Sequence, residues 1–354
     1  KKHRMGFGDR WLWVLILAIS LFGILMVYDA SVAIAIRDFG NQYHFVTDQF
    51  RWLVLGLVAC SVCAFIDYHR WYNLALPLLI VVIVLLLAVF IPGIGVKALG
   101  ANRWINLHFF ILQPAELAKF AIVVYLSAWF CVKEKGRLLA FLLLLGMVFG
   151  LVLIEPDLGT GVIILGISLL LYFFSGAPIR HFALLLPVLF AGLVVLAVVS
   201  PYRMQRLTSY LDTAHDPLGV SYQIRQVLLS LGSGGLFGLG FGQSRQKYEY
   251  LPEANTDAIF AIIGEEIGFV GSSVLITAYI LLLWRGFRIA YYAPDRFGRL
   301  LAAGMTGWIG MQTSLNLSAM VALLPLTGIP LPLISYGGSS LVSMLAGLGI
   351  LLSV

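Results

Sequence analysis

The stretch from Tyr248 to Glu266, YEYLPEANTDAIFAIIGEE, takes the chain from a polar loop into an apolar helix. The acid Asp257 stands at the crossing from the one to the other. An ionisable side chain at the edge of a membrane segment is costly to keep there and usually serves a function. We therefore treat Asp257 as a candidate functional group.

The composition is that of an integral membrane protein. Hydrophobic residues make up 60% of the 354 residues and charged residues only 11%, whereas soluble domains hold about 45–50% apolar residues. The mean hydropathy is +0.96. We predict one polytopic membrane domain over residues 1–354. Membrane topology explains the formal net charge of +6, and nucleic-acid binding is not expected.

Ten apolar runs follow one another along the chain and predict an all-α membrane protein with ten transmembrane helices. The first run follows Lys1, Lys2 and Arg4, and we interpret it as a retained helix because it is long and more spans follow. Most loop cations lie on the side of the N-terminus, which predicts that both termini are cytoplasmic. The predicted spans are 11–28, 52–66, 74–92, 112–132, 138–154, 160–175, 181–199, 257–284, 300–324 and 340–354.

This topology leaves one long outer loop, about residues 200–256, between spans seven and eight. Apolar residues recur at helical spacing between Val220 and Leu231, which predicts an amphipathic helix at the membrane interface. Arg203 and Arg206 lie one turn apart. Together they are in reach of a single anion, or else they extend to lipid headgroups.

Cations gathered beside a membrane-edge carboxylate suit a lipid-linked phosphate substrate. The same loop holds Lys247 and the glycine-rich run Gly232–Gly242, GSGGLFGLGFG. Backbone amides of such a run are able to approach a phosphate. A flexible turn is the simpler interpretation, because the strand and the Lys-Ser/Thr pair of a P-loop are absent.

Polar features also interrupt the apolar spans. Glu116 and Lys119 lie on one helix face in the bundle interior, either as a structural ion pair or as a pair lining a cavity. Glu265 and Glu266 follow two turns after the candidate acid, with Glu265 roughly below it, and a packing role is the simpler interpretation. The segment Pro325–Ser340, PLTGIPLPLISYGGSS, holds prolines and glycines that forbid a continuous helix. Such backbone survives in a membrane protein when it is buried in protein or lines a wet cavity.

Other chemistry is poorly represented. The six histidines are scattered without ligand spacing, and no Ser/His/Asp or HExxH arrangement occurs, so a hydrolase or zinc site is not expected. Cys60 and Cys63 form a CxxC inside an apolar span, where small core residues are the simpler interpretation. Trp104, in the loop GANRWINLHF, is either an interfacial anchor or part of a site.

Five motifs in this order resemble the SEDS family of FtsW and RodA: GANRWINL, LQPAELAKF, EPDLGT, GQSRQKYEYLPEANTDAIFAIIGEEIGFVG and LLPLTGIPLPLISYGGSS. The resemblance covers essentially the whole chain, and QKYEYLPEANTD is more similar to FtsW, the division protein, than to RodA. It implies a ten-span peptidoglycan glycosyltransferase that polymerises lipid II at the outer face of the bacterial cytoplasmic membrane. The family's essential acid falls on Asp257, its loop tryptophan on Trp104, and its buried pair on Glu116 and Lys119.

Our hypothesis is that Asp257 is the general base. It takes the proton from the GlcNAc 4-hydroxyl of the acceptor lipid II, which attacks the anomeric carbon of the donor MurNAc. Undecaprenyl pyrophosphate leaves, stabilised by cations. A divalent cation, Mg²⁺ or Mn²⁺, is expected as a Lewis acid on the pyrophosphate, without a dedicated protein cage. The predicted substrate-binding residues are Trp104, Arg103, Glu116, Lys119, Arg203, Arg206 and Lys247.

Two other functions stay open on the sequence. A lipid II flippase would line its path with Glu116, Lys119 and the Pro325–Ser340 segment, and a non-catalytic divisome scaffold would only recruit a transpeptidase. The concentration of charge at the outer face favours polymerisation over transport. The resemblance further implies a class B penicillin-binding transpeptidase as the partner, together with regulatory membrane proteins of division.

Overall fold

The computed structural model describes residues 9–98, 101–106, 111–132, 136–199, 220–248 and 250–354, with 204, 206, 208 and 210 in between. Every predicted span coincides with a helix. Numbered in chain order, these are α1 (Arg10–Phe39), α2 (His44–Phe65), α3 (His69–Ala88), α4 (Pro114–Cys131), α5 (Leu138–Ile154), α6 (Leu158–Phe174), α7 (Ile179–Val199), α9 (Ile259–Tyr292), α10 (Arg296–Met320) and α11 (Gly338–Ser353). The amphipathic helix of the long loop is also present, as α8 (Val220–Gly234).

Six of these helices are long and apolar enough to cross a membrane: α1, α2, α3, α4, α7 and α9. Helices α5, α6 and α11 are apolar but shorter, and α10 has 25 residues with a more polar composition. The chain is therefore a mainly helical, multi-pass membrane protein. The count of ten crossings and the orientation of the termini stay predictions.

One part of the all-α prediction is wrong, because a small antiparallel sheet joins α3 to α4. Its strands are β1 (Gly95–Ala98), β2 (Ala101–Asn106) and β3 (Ile111–Leu112), in the order β1-β2-β3. Val96 pairs with Trp104, and Ile105 with Leu112. Branched and aromatic side chains favour strands over a short distance. The hydropathy pattern predicts only a loop carrying Trp104 at this place.

The bundle is organised around α4, which packs against α3, α6, α10 and α11. Most of its residues are buried, including Glu116 and Lys119, so the prediction that this pair lies in the bundle interior is confirmed. Helix α2 packs closely along α11, where a Cβ on Gly349 would overlap the carbonyl oxygen of Cys60. Cys60 and Cys63 are buried and unbridged, in agreement with a role as small core residues.

Helix α9 is broken at Gly268, whose φ of 67° and ψ of −167° are not helical. The break frees backbone groups on both sides, and the segment Gly234–Gly242, which we call the glycine loop, pairs with them. The amides of Leu239 and Gly240 donate to the carbonyls of Glu265 and Glu266, at 2.9 and 3.0 Å.

Pairing at the break also runs in the opposite direction. The amides of Phe269 and Val270 donate to the carbonyls of Gly235 and Leu236, at 2.9 and 3.0 Å. A residue with φ of +82°, Gly238, sits against this break, and a Cβ there would overlap the carbonyl oxygen of Glu266. The glycine-rich run therefore forms turns that are hydrogen-bonded to α9. The structure gives no support for a phosphate cradle, because the amides of Leu239, Gly240 and Gly242 already donate to Glu265 and Glu266.

We predict that Gly238→Ala destabilises the fold by at least about 2 kcal/mol, since alanine is strained at positive φ and has no room here. Thermal unfolding in detergent measures the effect. Gly146→Ala in α5, where an added Cβ meets nothing within 4 Å, is the matched control and should melt at or above the wild-type temperature. Equal melting temperatures of Gly238→Ala and wild type would contradict this structural role of the glycine loop.

Candidate active site

Asp257 lies two residues before α9, which begins at Ile259. The predicted span, starting at 257, is therefore two residues too early, and Glu265 does not lie on a common helix with Asp257 as expected. The carboxyl side chain is buried, with 8% of the residue exposed. It is held at the end of a turn that runs from Leu251 to Ala258.

The protein around Asp257 changes its acidity. Burial is the largest cause and raises the pKa of the carboxyl, and the charge of Glu253 raises it further. The charge of Arg206 and the 3.5 Å contact from Thr256 Oγ1 oppose these effects. The net result is a pKa of about 7 against an ordinary value of 3.8. At neutral pH the group is thus poised between accepting and releasing a proton.

A second segment that contributes to the site is residues 321–337, between α10 and α11, which we call the proline loop. It has no helix, so the prediction from Pro325–Ser340 is confirmed apart from the last three residues, which begin α11. Tyr336 N donates to Asn255 O at 2.9 Å, next to the Asp257 turn. From the other side, Gln49 Nε2 donates to Ser335 O at 3.1 Å. The broken backbone is therefore satisfied by protein groups.

The proline loop reaches the carboxylate at Gly328, where an added Cβ would lie 4.0 Å from Oδ2 of Asp257. On its far side the loop packs against the start of α6. A Cβ on Gly159 would lie 2.9 Å from Thr327 O and from Cγ1 of Ile329. The EPDLGT motif and the LPEANTD motif thus both contact the proline loop at residues 327–329.

Arg103 lies on β2 and holds the turn between α5 and α6. Its Nε donates to Glu155 O at 3.1 Å and its terminal nitrogen to Pro156 O at 2.6 Å. Trp104 follows it on the strand, half-buried and paired with Val96. The structure therefore gives Arg103 a structural task and adds nothing that places it on a substrate phosphate.

Two acids in that turn have different surroundings. Asp157 caps α6 through Thr160 N at 3.0 Å and accepts from Gln113 Nε2 at 3.2 Å. Glu155 is fully buried, and neither of its carboxyl oxygens has a hydrogen-bond partner within the described part of the chain. Its pKa is raised to about 8, chiefly by burial and also by the charge of Asp157, while the charge of Arg103 opposes the rise. Glu155 is therefore mostly a neutral acid at pH 7.

Glu116 and Lys119 form a buried ion pair. Lys119 Nζ lies 2.7 Å from Glu116 Oε1 and 2.8 Å from Gln312 Oε1, and it stands 5.5 Å from the ring of Trp308. The residues are 2% and 0% exposed. Of the two interpretations left open by the sequence, the geometry favours the structural pair over a pair that lines a cavity.

Lys247 does not point toward Asp257. Its Nζ lies 2.8 Å from Asp29 Oδ1 on α1 and 3.2 Å from Glu266 Oε1 on α9. Burial lowers its pKa, but the bonds to and charges of Asp29 and Glu266 outweigh burial and raise it above the ordinary value. Glu265 in turn accepts from Ser244 Oγ. The structure thus joins α1, α9 and the outer loop through Lys247, and it offers no support for this residue as a phosphate ligand.

The arginine pair of the outer loop is described only at Arg206. Its guanidinium donates to Leu326 O on the proline loop at 2.9 Å, and its charge is felt at Asp257. Arg203 lies outside the described residues. Arg206 is therefore the predicted cation that the structure brings to the acid.

The cation expected with the substrate finds no cage in the described ranges, where no group of three or more His, Cys, Asp or Glu side chains is arranged to hold a metal ion. Asp257 has only Glu253 as a carboxylate neighbour affecting its pKa. The expectation of Mg²⁺ or Mn²⁺ accordingly concerns the pyrophosphate, to which the residues described here do not add a ligand set.

Sequence reasoning missed two amides on α10 that contact the site. Gln312 Nε2 donates to Pro330 O at 3.0 Å, and Asn316 Nδ2 donates to Asp257 O at 2.8 Å. Both are buried in a predicted span. A signal was present, because two carboxamides four residues apart fall on one face of a helix in a predicted span.

Together these elements place one buried carboxyl, with a pKa near neutrality, beside an arginine and between two loops fixed by the bundle. Such a group is suited to removing a proton from a hydroxyl. The nearby guanidinium is suited to a developing negative charge.

Comparison with known proteins shows that the chain has relatives that it matches over nearly its whole length. The family described as cell cycle proteins, FtsW, RodA and SpoVE, matches residues 9–354. Stage V sporulation protein E of Bacillus subtilis is 41% identical over 352 residues, covering 98% of this chain and 96% of the relative. A probable peptidoglycan glycosyltransferase FtsW of Geobacter sp. (strain M18) is 39% identical over 350 residues, covering 96% and 95%.

A solved structure described as showing the structural coordination of polymerization and crosslinking by a peptidoglycan synthase complex holds a similar chain. Its TM-score is 0.80 at 31% identity, with 98% of this chain and 96% of that chain covered. The similarity extends over nearly the full length of both chains.

We predict that Lys119→Met destabilises the protein by about 3–5 kcal/mol, because Glu116 is then buried without its cation. The double variant Glu116→Gln, Lys119→Met should recover part of the loss. Thermal unfolding in detergent measures both. Arg51→Met, which removes a 3.6 Å pair with Asp48 at the surface, should cost less than about 1 kcal/mol. If Lys119→Met melts at the same temperature as Arg51→Met, the Glu116–Lys119 pair does not stabilise the bundle as a buried ion pair.

Proposed function

We propose, because the chain belongs to the cell cycle protein family of FtsW, RodA and SpoVE, that it is a peptidoglycan glycosyltransferase that joins lipid II molecules into glycan strands. The relatives named as probable peptidoglycan glycosyltransferases support this activity. The observation that carries the mechanism is the buried carboxyl of Asp257, with a pKa of about 7, where the turn 251–258 meets the proline loop.

In this proposal Asp257 is the general base. Its ionised carboxylate takes the proton of the GlcNAc 4-hydroxyl of the acceptor lipid II, and the oxygen attacks the anomeric carbon of the donor MurNAc. The bond from that carbon to the pyrophosphate breaks, and undecaprenyl pyrophosphate leaves with the electron pair. A base with a pKa near the working pH combines a usable ionised fraction with enough basicity to take the proton.

The leaving pyrophosphate needs positive charge. Arg206 is our first candidate, since its charge already acts on Asp257 and its side chain bonds the proline loop. Arg203, one turn earlier in the sequence, and Trp104 stay candidates for substrate contact. When bound with the substrate, a divalent cation such as Mg²⁺ or Mn²⁺ would neutralise phosphate charge.

The flippase alternative gains no specific support. It needs polar groups that face a path through the bundle, whereas Lys119 donates to Glu116 and to Gln312 in the interior. The scaffold alternative gains no specific support either. We therefore keep glycan polymerisation as the proposed function.

The setting of the reaction is proposed to be the outer face of the bacterial cytoplasmic membrane, with both termini in the cytoplasm and division as the process served. The partner we propose is a class B penicillin-binding transpeptidase, joined by regulatory membrane proteins of division. Support for a cross-linking partner comes from the similar chain in a complex described as coordinating polymerization and crosslinking.

Asp257→Asn should lower the rate of glycan formation by about 10² to 10⁴, the usual contribution of a general base. The purified chain, with and without its transpeptidase, is incubated with lipid II and glycan strands are separated on a gel. Asp38→Asn, which removes an exposed carboxylate paired with Arg37, is the control and should polymerise normally.

A folded Asp257→Asn protein with wild-type polymer yield would remove the base assignment. Passage of labelled lipid II across liposomes that contain the wild-type chain, without any polymer, would select the flippase instead.

The pH profile gives a second prediction. Because the ionised form of Asp257 is the active one, the rate should fall about tenfold per pH unit below pH 7. The charge of Glu253 raises the pKa of Asp257, so Glu253→Gln should move the acid limb to lower pH, by up to about one unit. Rates of lipid II polymerisation across pH 5 to about 9 measure the limb. An acid limb that moves to higher pH, or does not move, would refute the electrostatic account, and Asp38→Asn should leave it in place.

A further inference from the structure

One side-chain amide on α10 contacts both loops of the site. Asn316 Nδ2 lies 2.8 Å from the carbonyl oxygen of Asp257 and 2.8 Å from that of Ile329. These carbonyls belong to the turn that carries the acid and to the proline loop. Asn316 is 1% exposed, so water does not compete for the amide.

The residue type fits this place closely. A carboxamide nitrogen carries two hydrogens, and the two carbonyls use one each. Serine or threonine at this position would offer a single donor, and leucine none. The amide oxygen of Asn316 has no hydrogen-bond partner in the described structure, so the donor side of the amide accounts for its contacts here.

A second amide, one helical turn earlier, continues the same connection. Gln312 Nε2 donates to Pro330 O, the residue after Ile329, while its oxygen accepts from Lys119 Nζ and from Trp308 Nε1. The proline loop is thus tied at two successive carbonyls to one face of α10. Through Gln312 this face is tied to the ion pair at the centre of the bundle.

We propose that Asn316 is a positioning residue, whose amide fixes the backbone of Asp257 against the proline loop and so holds the carboxyl beside Gly328. The proposal rests on the proposed function of Asp257 as the base. Asn316 itself touches no reacting atom. It acts on the place of the carboxyl, and displacement of a catalytic group by about 1 Å is enough to lower a rate by about 10².

This role predicts a distinct kinetic signature. Without the amide, the turn and the proline loop separate, and the carboxyl meets the acceptor hydroxyl in fewer productive geometries. The turnover number should then fall by about tenfold to hundredfold while KM changes little. Water entering between the loops reduces the burial that raises the pKa of Asp257, so the acid limb of the rate should move to lower pH.

The test compares Asn316→Leu, which keeps the shape and removes both donors, with Asn316→Ala, which removes the amide without apolar bulk. The control is Thr313→Val on the same helix, a buried position whose hydroxyl has no hydrogen-bond partner in the described structure. Turnover number, KM and pH profile are measured with lipid II. Hydrogen exchange of residues 250–258 and 326–331 is measured on the same samples.

Support for the proposal is a lower turnover number, an unchanged KM, a shifted acid limb and faster exchange in these two segments, in either Asn316 variant and not in Thr313→Val. The proposal is overturned if a folded Asn316 variant keeps the wild-type turnover number and limb. It is also overturned if neither variant folds, since Asn316 is then a folding residue. Failure of the base itself is seen separately, as an active Asp257→Asn protein.

Discussion

Backbone amides and carbonyls inside an apolar bundle must find hydrogen-bond partners within the protein, and this constraint shapes the whole structure. A continuous helix meets it locally. The chain departs from helix at the turn before α9, at Gly268 and through the proline loop, and each departure is compensated by groups from elsewhere in the protein. Asn316 serves the first and the third, and the glycine loop serves the second. The irregular parts therefore have hydrogen-bond partners within the protein, as the helices do.

The same constraint explains why the candidate base lies where it does. A carboxyl with a raised pKa requires burial, and burial of a turn requires that its carbonyls be paired. The bundle supplies those pairs from α10, whose polar residues include Gln312 and Asn316. Two of the polar side chains of α10 are thus the ones that support the site. The ion pair of Lys119 with Glu116 anchors the far end of this connection.

Much of this was predictable from the sequence, because the signals are local. Apolar runs located the ten helices, the prolines marked the interruption after α10, and Asp257 stood out as an acid where polar sequence ends. Contacts between distant segments were not predictable. Lys247 appeared to belong with the loop cations, although its partners are Asp29 and Glu266, and no pattern around residue 247 identifies an acid on α1. The glycine run, likewise, gained its meaning only from the kink at Gly268, and the short sheet holding Trp104 was hidden by its length.

The reciprocal pairing of the glycine loop with α9 also sets an order for biosynthesis. The loop is translated before the helix that satisfies it, so its amides at Leu239 and Gly240 find their acceptors only once α9 has entered the membrane. The backbone of Asp257 gains its hydrogen bond from Asn316 later still, since Asn316 and Ile329 are translated after it. The site is consequently completed only after α10 and the proline loop have been made, and until then the nascent chain carries Asp257 without these partners.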